Sequence, residues 1–286
     1  MSIDESKPDP EAEAAKPKLA DEAGSTLAKP PVKQAKKTKQ AKPETWVDTV
    51  QTLAIALAIA LVIRSFLFQP FNIPSESMKP TLLVGDFLFV SKLSYGYSRH
   101  SLPFSLPLIP GRIFFTEPKR GDVAVFKTPA DNRTDLIKRV IGLPGDDIQM
   151  IGGVLFINGS PVPRRVVGPY TSTNPRTGLP TTGTLYEETL PNGVKYTTLD
   201  LGQSSEDDTE IFHVPPGHYF MMGDNRDNSA DSRIPPMFNG VGYVPAKNFV
   251  GKAEILFFSI AAPNPAWAIW KWPLGIRFER MFHTIH

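Results

Sequence analysis

The 286-residue sequence contains no cysteine. That excludes disulfide frameworks, thiolate zinc sites and a cysteine nucleophile. It leaves the compartment open, because an extracytoplasmic domain of this size folds without disulfides. Net charge is also nearly absent, at +2, so no whole-chain charge argument points to nucleic acid. Histidine is sparse: His100, His213, His218, His283 and His286. None of them sits in a Gly/Asp-rich turn, so a Ser-His-Asp triad has no support. A second long apolar run is missing as well, Ile255 to Ala262 being too short to span a bilayer. Proline, in contrast, is frequent at 29 residues, and many of these mark loops and strand boundaries, against a mostly helical body. Hydrophobic residues make up 41%, enough for a real core in one or two domains.

Residues 1–45 carry almost no large apolar side chain and read as a disordered tail. Its first part is acidic, with Asp4, Glu5, Asp9, Glu11 and Glu13. Its second part is basic, with Lys29, Lys33, Lys36, Lys37, Lys39 and Lys42. Directly after it, residues 46–69 read as a transmembrane anchor. Val50 to Phe68 spans roughly 28 Å as a helix, enough to cross a hydrocarbon core. Arg64 lies near one end, where it snorkels to the interface. A buried core helix and a cleaved signal peptide are the competing readings. The second is opposed by the position of the run and by the Arg and aromatics that follow it. Basic residues before the helix keep the N-terminus cytoplasmic, which places everything after the anchor outside.

The exported portion reads as mainly β. Phe87–Val90, Asp122–Phe126, Leu136–Ile141, Gly153–Ile157 and Ala253–Phe258 are short apolar runs bounded by Gly, Pro, Asp or Asn. Asn158-Gly159 and Asn192-Gly193 are hairpin-type turns. Residues 158–210 differ in texture, being rich in Thr, Ser, Gly, Pro and charge with weak strands. The expected architecture is one membrane helix followed by a β-sheet core (70–157 and 211–286) with a smaller inserted β subdomain (158–210).

Three segments carry candidate chemistry. The first runs Ile73-Pro74-Ser75-Glu76-Ser77-Met78-Lys79 and lies just beyond the anchor. A serine beside a proline is ordinarily a turn former, so Ser75 or Ser77 alone signifies little. The second is the strand Asp135 to Gly142. Leu136, Lys138 and Val140 share one face, and Ile137, Arg139 and Ile141 the other. A lysine buried among aliphatics loses hydration, which lowers its pKa. An ordinary lysine is neutral only about once in 2,500 molecules at pH 7. Sufficient burial makes it a base able to deprotonate a serine without histidine. A lysine in a strand is otherwise a solvent-facing side chain with a buried stem. The third segment, Met222 to Arg233, is dense in turn formers and charge. A cation-binding loop is one reading, although the spacing is not that of an EF-hand.

Together and in order, these segments resemble bacterial type I signal peptidase (leader peptidase). The matching blocks are the anchor, Pro74-Ser75-Glu-Ser77-Met-Lys-Pro-Thr-Leu82, Gly85-Asp86-Phe-Leu-Phe-Val90 and Arg120-Gly-Asp-Val-Ala-Val-Phe126. Then come Ile137-Lys138-Arg139-Val-Ile-Gly-Leu-Pro-Gly-Asp146 and Gly223-Asp-Asn-Arg-Asp-Asn-Ser229-Ala-Asp231-Ser-Arg233. The likeness covers most of 46–260 and is loose over 158–210. It implies a serine endopeptidase without cofactor or metal, with Ser77 as nucleophile and Lys138 as general base. It further implies that Ser75 joins the Ser77 amide in an oxyanion hole and that Ser229 orients the Lys138 amine. Gly223 would pack closely beside the lysine, and Asp231 and Arg233 would form a supporting ion pair. Substrate would add as a strand along Ile73–Met78 and Leu136–Lys138. Its small side chains at the −3 and −1 positions would enter shallow pockets of Phe71, Ile73, Pro74, Met78, Leu136 and Ile137. The implied partners are exported preproteins with signal peptides, the lipid bilayer and the nearby secretion translocon, the enzyme acting as a monomer with no role for nucleic acid.

Glu76 departs from the family, which often has Gly or another small residue there. The inserted region lacks the cysteine pair of some relatives, and there is one membrane span where some have two. The segment Trp267, Trp270, Lys271 and Trp272 with Arg277 to Phe282 is either core packing or contact with the membrane interface. Competing functions are a Ser/Lys processing peptidase of a conjugation system, a self-cleaving repressor of the SOS type, and a non-enzymatic single-pass envelope protein. The anchor and the lack of a helix-turn-helix oppose the repressor. A penicillin-binding reading needs Ser-x-x-Lys, which Ser77 and Lys79 do not supply.

Overall fold

The computed structural model describes residues 45–101, 109, 111–173, 178–261 and 275–285. The tail and the Trp267–Trp272 cluster lie outside these. The chain enters as helix α1 (Trp46–Phe66), with Asp48 in its first turn and Arg64 in its last, each charge complementing its end of the helix dipole. The stretch Trp46–Arg64 has a mean hydropathy of 2.0 and none of it is buried in protein. It is long and apolar enough to cross a membrane. The helix begins and ends earlier than the apolar run suggests, because Phe68 already belongs to a strand. Its last carbonyls are taken by the folded body: Lys92 Nζ donates to Arg64 O at 3.0 Å, and Tyr97 Oη to Phe66 O at 2.7 Å. These bonds satisfy orphan carbonyls that a helix end leaves open.

Thereafter the chain is mainly β. Strands β1 (Phe68–Asn72) and β2 (Asp86–Ser91) form a hairpin around the serine-bearing segment. β3 (Tyr97–Ser98) and β4 (Arg112–Ile113) form a small ribbon. β5 (Val123–Lys127) and β6 (Asp135–Gly142) pair antiparallel. β7 (Asp147–Ile151), β8 (Val154–Ile157) and β9 (Ser160–Pro161) are followed by the long strands β10 (Arg164–Thr173) and β11 (Pro180–Thr189) and by β12 (Lys195–Asp200). The chain returns through β13 (Phe212–His213), β14 (His218–Met222), β15 (Val244–Pro245), β16 (Phe249–Ser259) and β17 (His283–Thr284).

The principal sheet runs β1-β2-β16-β5-β6-β14-β15, with β17 added on β16. β10, β11 and β12 form a separate three-stranded sheet, and β13, β7, β8 and β9 a four-stranded one. Both predicted Asn-Gly turns join neighbouring antiparallel strands, β8 to β9 and β11 to β12. At the first, Asn158 and Gly159 both have positive φ, as a tight hairpin turn requires. β10 exposes one face and half-buries the other through Gly168, Tyr170 and Ser172, so its sequence shows little apolar alternation.

Two strand edges matter for the site. Among the described residues, β1 pairs only with β2. β6 pairs with β5 from Asp135 to Arg139, but β14 joins its other edge only from Arg139 onward. The first half of β6 therefore keeps an open edge. Beneath lies an apolar cluster that includes Ile73, Met78, Leu82, Leu88, Val90, Val125 and Leu256. Each fully buried Leu contributes about 1.5–3 kcal/mol. Met78 and Leu82 thus pin the serine-bearing turn to the core from both sides of Lys79.

Candidate active site

Ser77 sits in the turn between β1 and β2, and Lys138 near the middle of β6. The register places Lys138 opposite Ala124, deep in the sheet. Both side chains are buried, Lys138 to 3% exposure. The Lys138 Nζ is hydrogen-bonded directly to Ser77 Oγ. Burial is the leading cause that brings the lysine down from 10.5 to about 8, with Arg233 adding to the decrease and Asp231 and Asp224 opposing it. At pH 7 such a group is neutral in roughly one molecule in ten.

The described histidines are not bonded to Ser77. His213 is bonded to Asp147 and His218 to the Pro216 carbonyl. His100 is buried, held at about 4 chiefly by loss of hydration and then by nearby Arg99 and Lys127. Lysine is therefore the basic side chain found on Ser77. Ser75 Oγ lies 3.4 Å from Ser77 Oγ, so the second hydroxyl stands beside the first.

The loop from Gly223 to Arg233 closes the site from behind. Gly223 has no room for a side chain: an added Cβ would meet Ser229 and, at 2.5 Å, the Ser77 carbonyl. Its N–H donates to Asp231 Oδ2 at 3.0 Å, and Asp231 is gripped by Arg233 through Nε and Nη2 at 3.0 and 2.9 Å. The predicted ion pair is thus present and fully buried, and Arg233 holds the Asp231 carboxyl below its ordinary value despite burial. One implied contact is not made. Ser229 is buried beside Gly223, but its Oγ has no hydrogen-bond partner. The Lys138 amine is bonded to Ser77 instead.

A cleft of about 70 Å³ opens between the two free edges, lined by Phe71, Ile73, Pro74 and Ser75 on one side and by Leu136, Ile137 and Lys138 on the other. Met78 does not line it. That side chain is 1% exposed and packs into the apolar cluster below, because the turn after Ser77 directs it inward. So small a volume admits small side chains only.

Several residues that sequence reasoning missed complete the frame. Arg139, fully buried, forms a two-point pair with Asp224 at 2.8 and 2.7 Å and stacks on Tyr196. Asp224 also accepts from Thr81 Oγ1 at 2.5 Å. Asn225 donates its N–H to the Ser77 carbonyl and its side-chain amide to the Glu76 carbonyl, both at 3.1 Å. Arg226 pairs with Glu188 at 2.8 and 2.6 Å. Of the carboxylates that suggested a cation loop, Asp224 and Asp231 are engaged by arginines, and Asp227 accepts from the Leu201 N–H at 2.6 Å. The crowding of Asp and Arg in 224–233 was the visible signal, but their partners lie far away in sequence. Arg277 and Arg280, read as core or membrane contacts, both bind the buried Asp86 carboxylate, at 3.1 and 2.6 Å. Phe278 and Phe282 beside them are exposed.

The family model for "Signal peptidase, peptidase S26" matches residues 46–258. Signal peptidase I of Rickettsia canadensis (strain McKiel) is 40% identical over 267 residues, 87% of this chain and 97% of that protein. The enzyme of that name from Rickettsia typhi (strain Wilmington) is 40% identical over 253 residues, 82% of this chain and 92% of its own length. Among solved structures, a signal peptidase I from Enterococcus faecalis V583 is similar at 23% identity and a TM-score of 0.27, over 48% of this chain and 97% of that one.

Proposed function

This chain belongs to the signal peptidase family, peptidase S26, and from that premise we propose that Ser77 is its nucleophile and Lys138 its general base. The observation that carries the reading is the bond between a buried, partly neutral lysine and Ser77 Oγ. Neutral Lys138 takes the Ser77 proton as Oγ attacks the scissile carbonyl, giving an acyl-enzyme. The lysine then returns that proton to the leaving amine. In the second half it takes a proton from water as the water oxygen attacks the acyl carbon, and returns it to Ser77 Oγ as the acyl–oxygen bond breaks. The Ser77 N–H and the Ser75 hydroxyl face the developing oxyanion, a contact worth a few kcal/mol of barrier. Gly223, Asp231 and Arg233 keep the lysine's surroundings closed, and Ser229 has a free hydroxyl close by to receive or orient the amine during turnover.

The substrate is an exported preprotein whose signal peptide lies as an extra strand between the edges of β1 and β6. The 70 Å³ cleft supports small residues at −3 and −1. α1 anchors the enzyme, and the lysines before it keep the tail cytoplasmic, which puts the site at the outer face of the membrane. Ser77 lies eleven positions past the helix end at Phe66, close to where a signal peptide leaves the bilayer.

Single replacements test the pair. Ser77→Ala and Lys138→Ala each reduce cleavage of a preprotein in liposomes by at least about a thousandfold, the range in which catalytic-group deletions fall. Ordinary processing by either variant contradicts the assignment.

A further inference from the structure

The acyl half of the substrate has a place in the cleft, but the leaving half has not been assigned one. The cleft walls run from Phe71 to Ser77 and along Asp135 to Lys138, and neither Glu76 nor Lys79 belongs to them. A polypeptide seated there passes Ser77 and must leave over the turn that carries these two residues. Glu76 and Lys79 pair at 2.9 Å, with side-chain exposures of 28% and 13%. Loss of hydration works against the Lys79 charge, but Glu76 and, more weakly, Tyr170 of β10 outweigh it and raise the lysine above its ordinary value. The turn itself cannot retreat. The Glu76 carbonyl is held by Asn225, and Met78 is packed into the core.

We propose that Glu76, backed by Lys79 and Tyr170, reads charge on the first residues of the mature protein, the leaving side of the scissile bond. The inference rests on the serine–lysine reading above and extends it to specificity. Glu76 presents the more accessible of the two charges, while Lys79 is the more buried partner of the ion pair. An acidic side chain at the first or second leaving position meets a carboxylate, and a basic one is drawn to it. The amine released by acylation becomes a cation near neutral pH, and it too is favoured beside Glu76. In a partly hydrated site such a charge changes kcat/KM by about threefold to tenfold.

The test uses the full-length chain in liposomes and a matched pair of preproteins, with Lys or Glu at the second leaving position and the same signal peptide. Wild type cleaves the Lys substrate about threefold to tenfold faster, and 0.5 M salt narrows the ratio. Glu76→Gln brings the ratio to one or reverses it, since Lys79 is then uncompensated. Lys79→Met widens it, and Tyr170→Phe leaves its sign unchanged. A merely structural ion pair moves both rates together. A ratio that is the same in wild type and Glu76→Gln therefore overturns the proposal, even if both rates fall. Cleavage that survives Ser77→Ala overturns the underlying serine–lysine reading as well, so the two failures are told apart.

Discussion

Lys138 is placed where a cation is costly and a free base is useful. Lowering its pKa from 10.5 to about 8 corresponds to about 3 kcal/mol against the charged form. That cost falls on the folded state. Because the folded lysine releases its proton earlier than the unfolded one, stability rises between about pH 8 and 10.5. Lys138→Met is accordingly expected to raise Tm below pH 8 while abolishing cleavage, with the gain shrinking toward pH 10.5. Thermal melts across this pH range check it, and a variant that is less stable at pH 7 contradicts it. Gly223 is the neighbouring constraint. Gly223→Ala drives a methyl group into Ser229 and the Ser77 carbonyl. Cleavage should fall by at least about tenfold, with a stability loss of about 1–3 kcal/mol from overpacking. Full activity in that variant means the close contact is not required. The lysine was picked out by the family resemblance, since both faces of its strand mix a cation with aliphatics. Arg139 was not: only the distant Asp224 makes it the paired cation of the two.

At the scale of elements, the loop Gly223–Arg233 fastens three parts together. It holds the Ser77 turn through Asn225, β6 through Asp224 and Arg139, and β11 through Arg226 and Glu188. Tyr196 of β12 joins the two ion pairs, donating to Glu188 at 2.6 Å while its ring lies 4.3 Å from Arg139. Removing one partner of a buried pair strands the other charge, which typically costs 3–5 kcal/mol. Asp224→Asn is therefore expected to lower denaturation free energy by several kcal/mol and to slow cleavage, because Arg139 is next to Lys138, the proposed base. Urea titration and kcat/KM measure the two effects, and a variant as stable as wild type would refute the account of this loop. The β10–β11 ribbon was hardly legible. The half-buried face of β10 is built from Gly168, Tyr170 and Ser172 rather than aliphatics, so it offers no apolar alternation to read, and its order comes from pairing and from contacts such as Arg164 over Tyr186 at 4.4 Å. The helix boundary also escaped the hydropathy pattern, since Lys92 and Tyr97 terminate α1 through bonds that composition does not reveal.

For the whole molecule, the proposed order is anchor, then site, then ribbon, with the site just above the bilayer. The lack of cysteine turns into an experimental advantage. Ser205, in a turn after β12, becomes the sole thiol in Ser205→Cys. A membrane-impermeant maleimide applied to intact spheroplasts is expected to label it, whereas labelling only after lysis reverses the orientation.

The serine–lysine pair meets its most direct test in the pH dependence of kcat/KM for preprotein cleavage by the full-length enzyme. If neutral Lys138 is the base, the rate climbs about tenfold per pH unit in the acid range and levels off above about pH 8. A profile that is flat from pH 6 to 9, or that falls as Lys138 loses its proton, would contradict it.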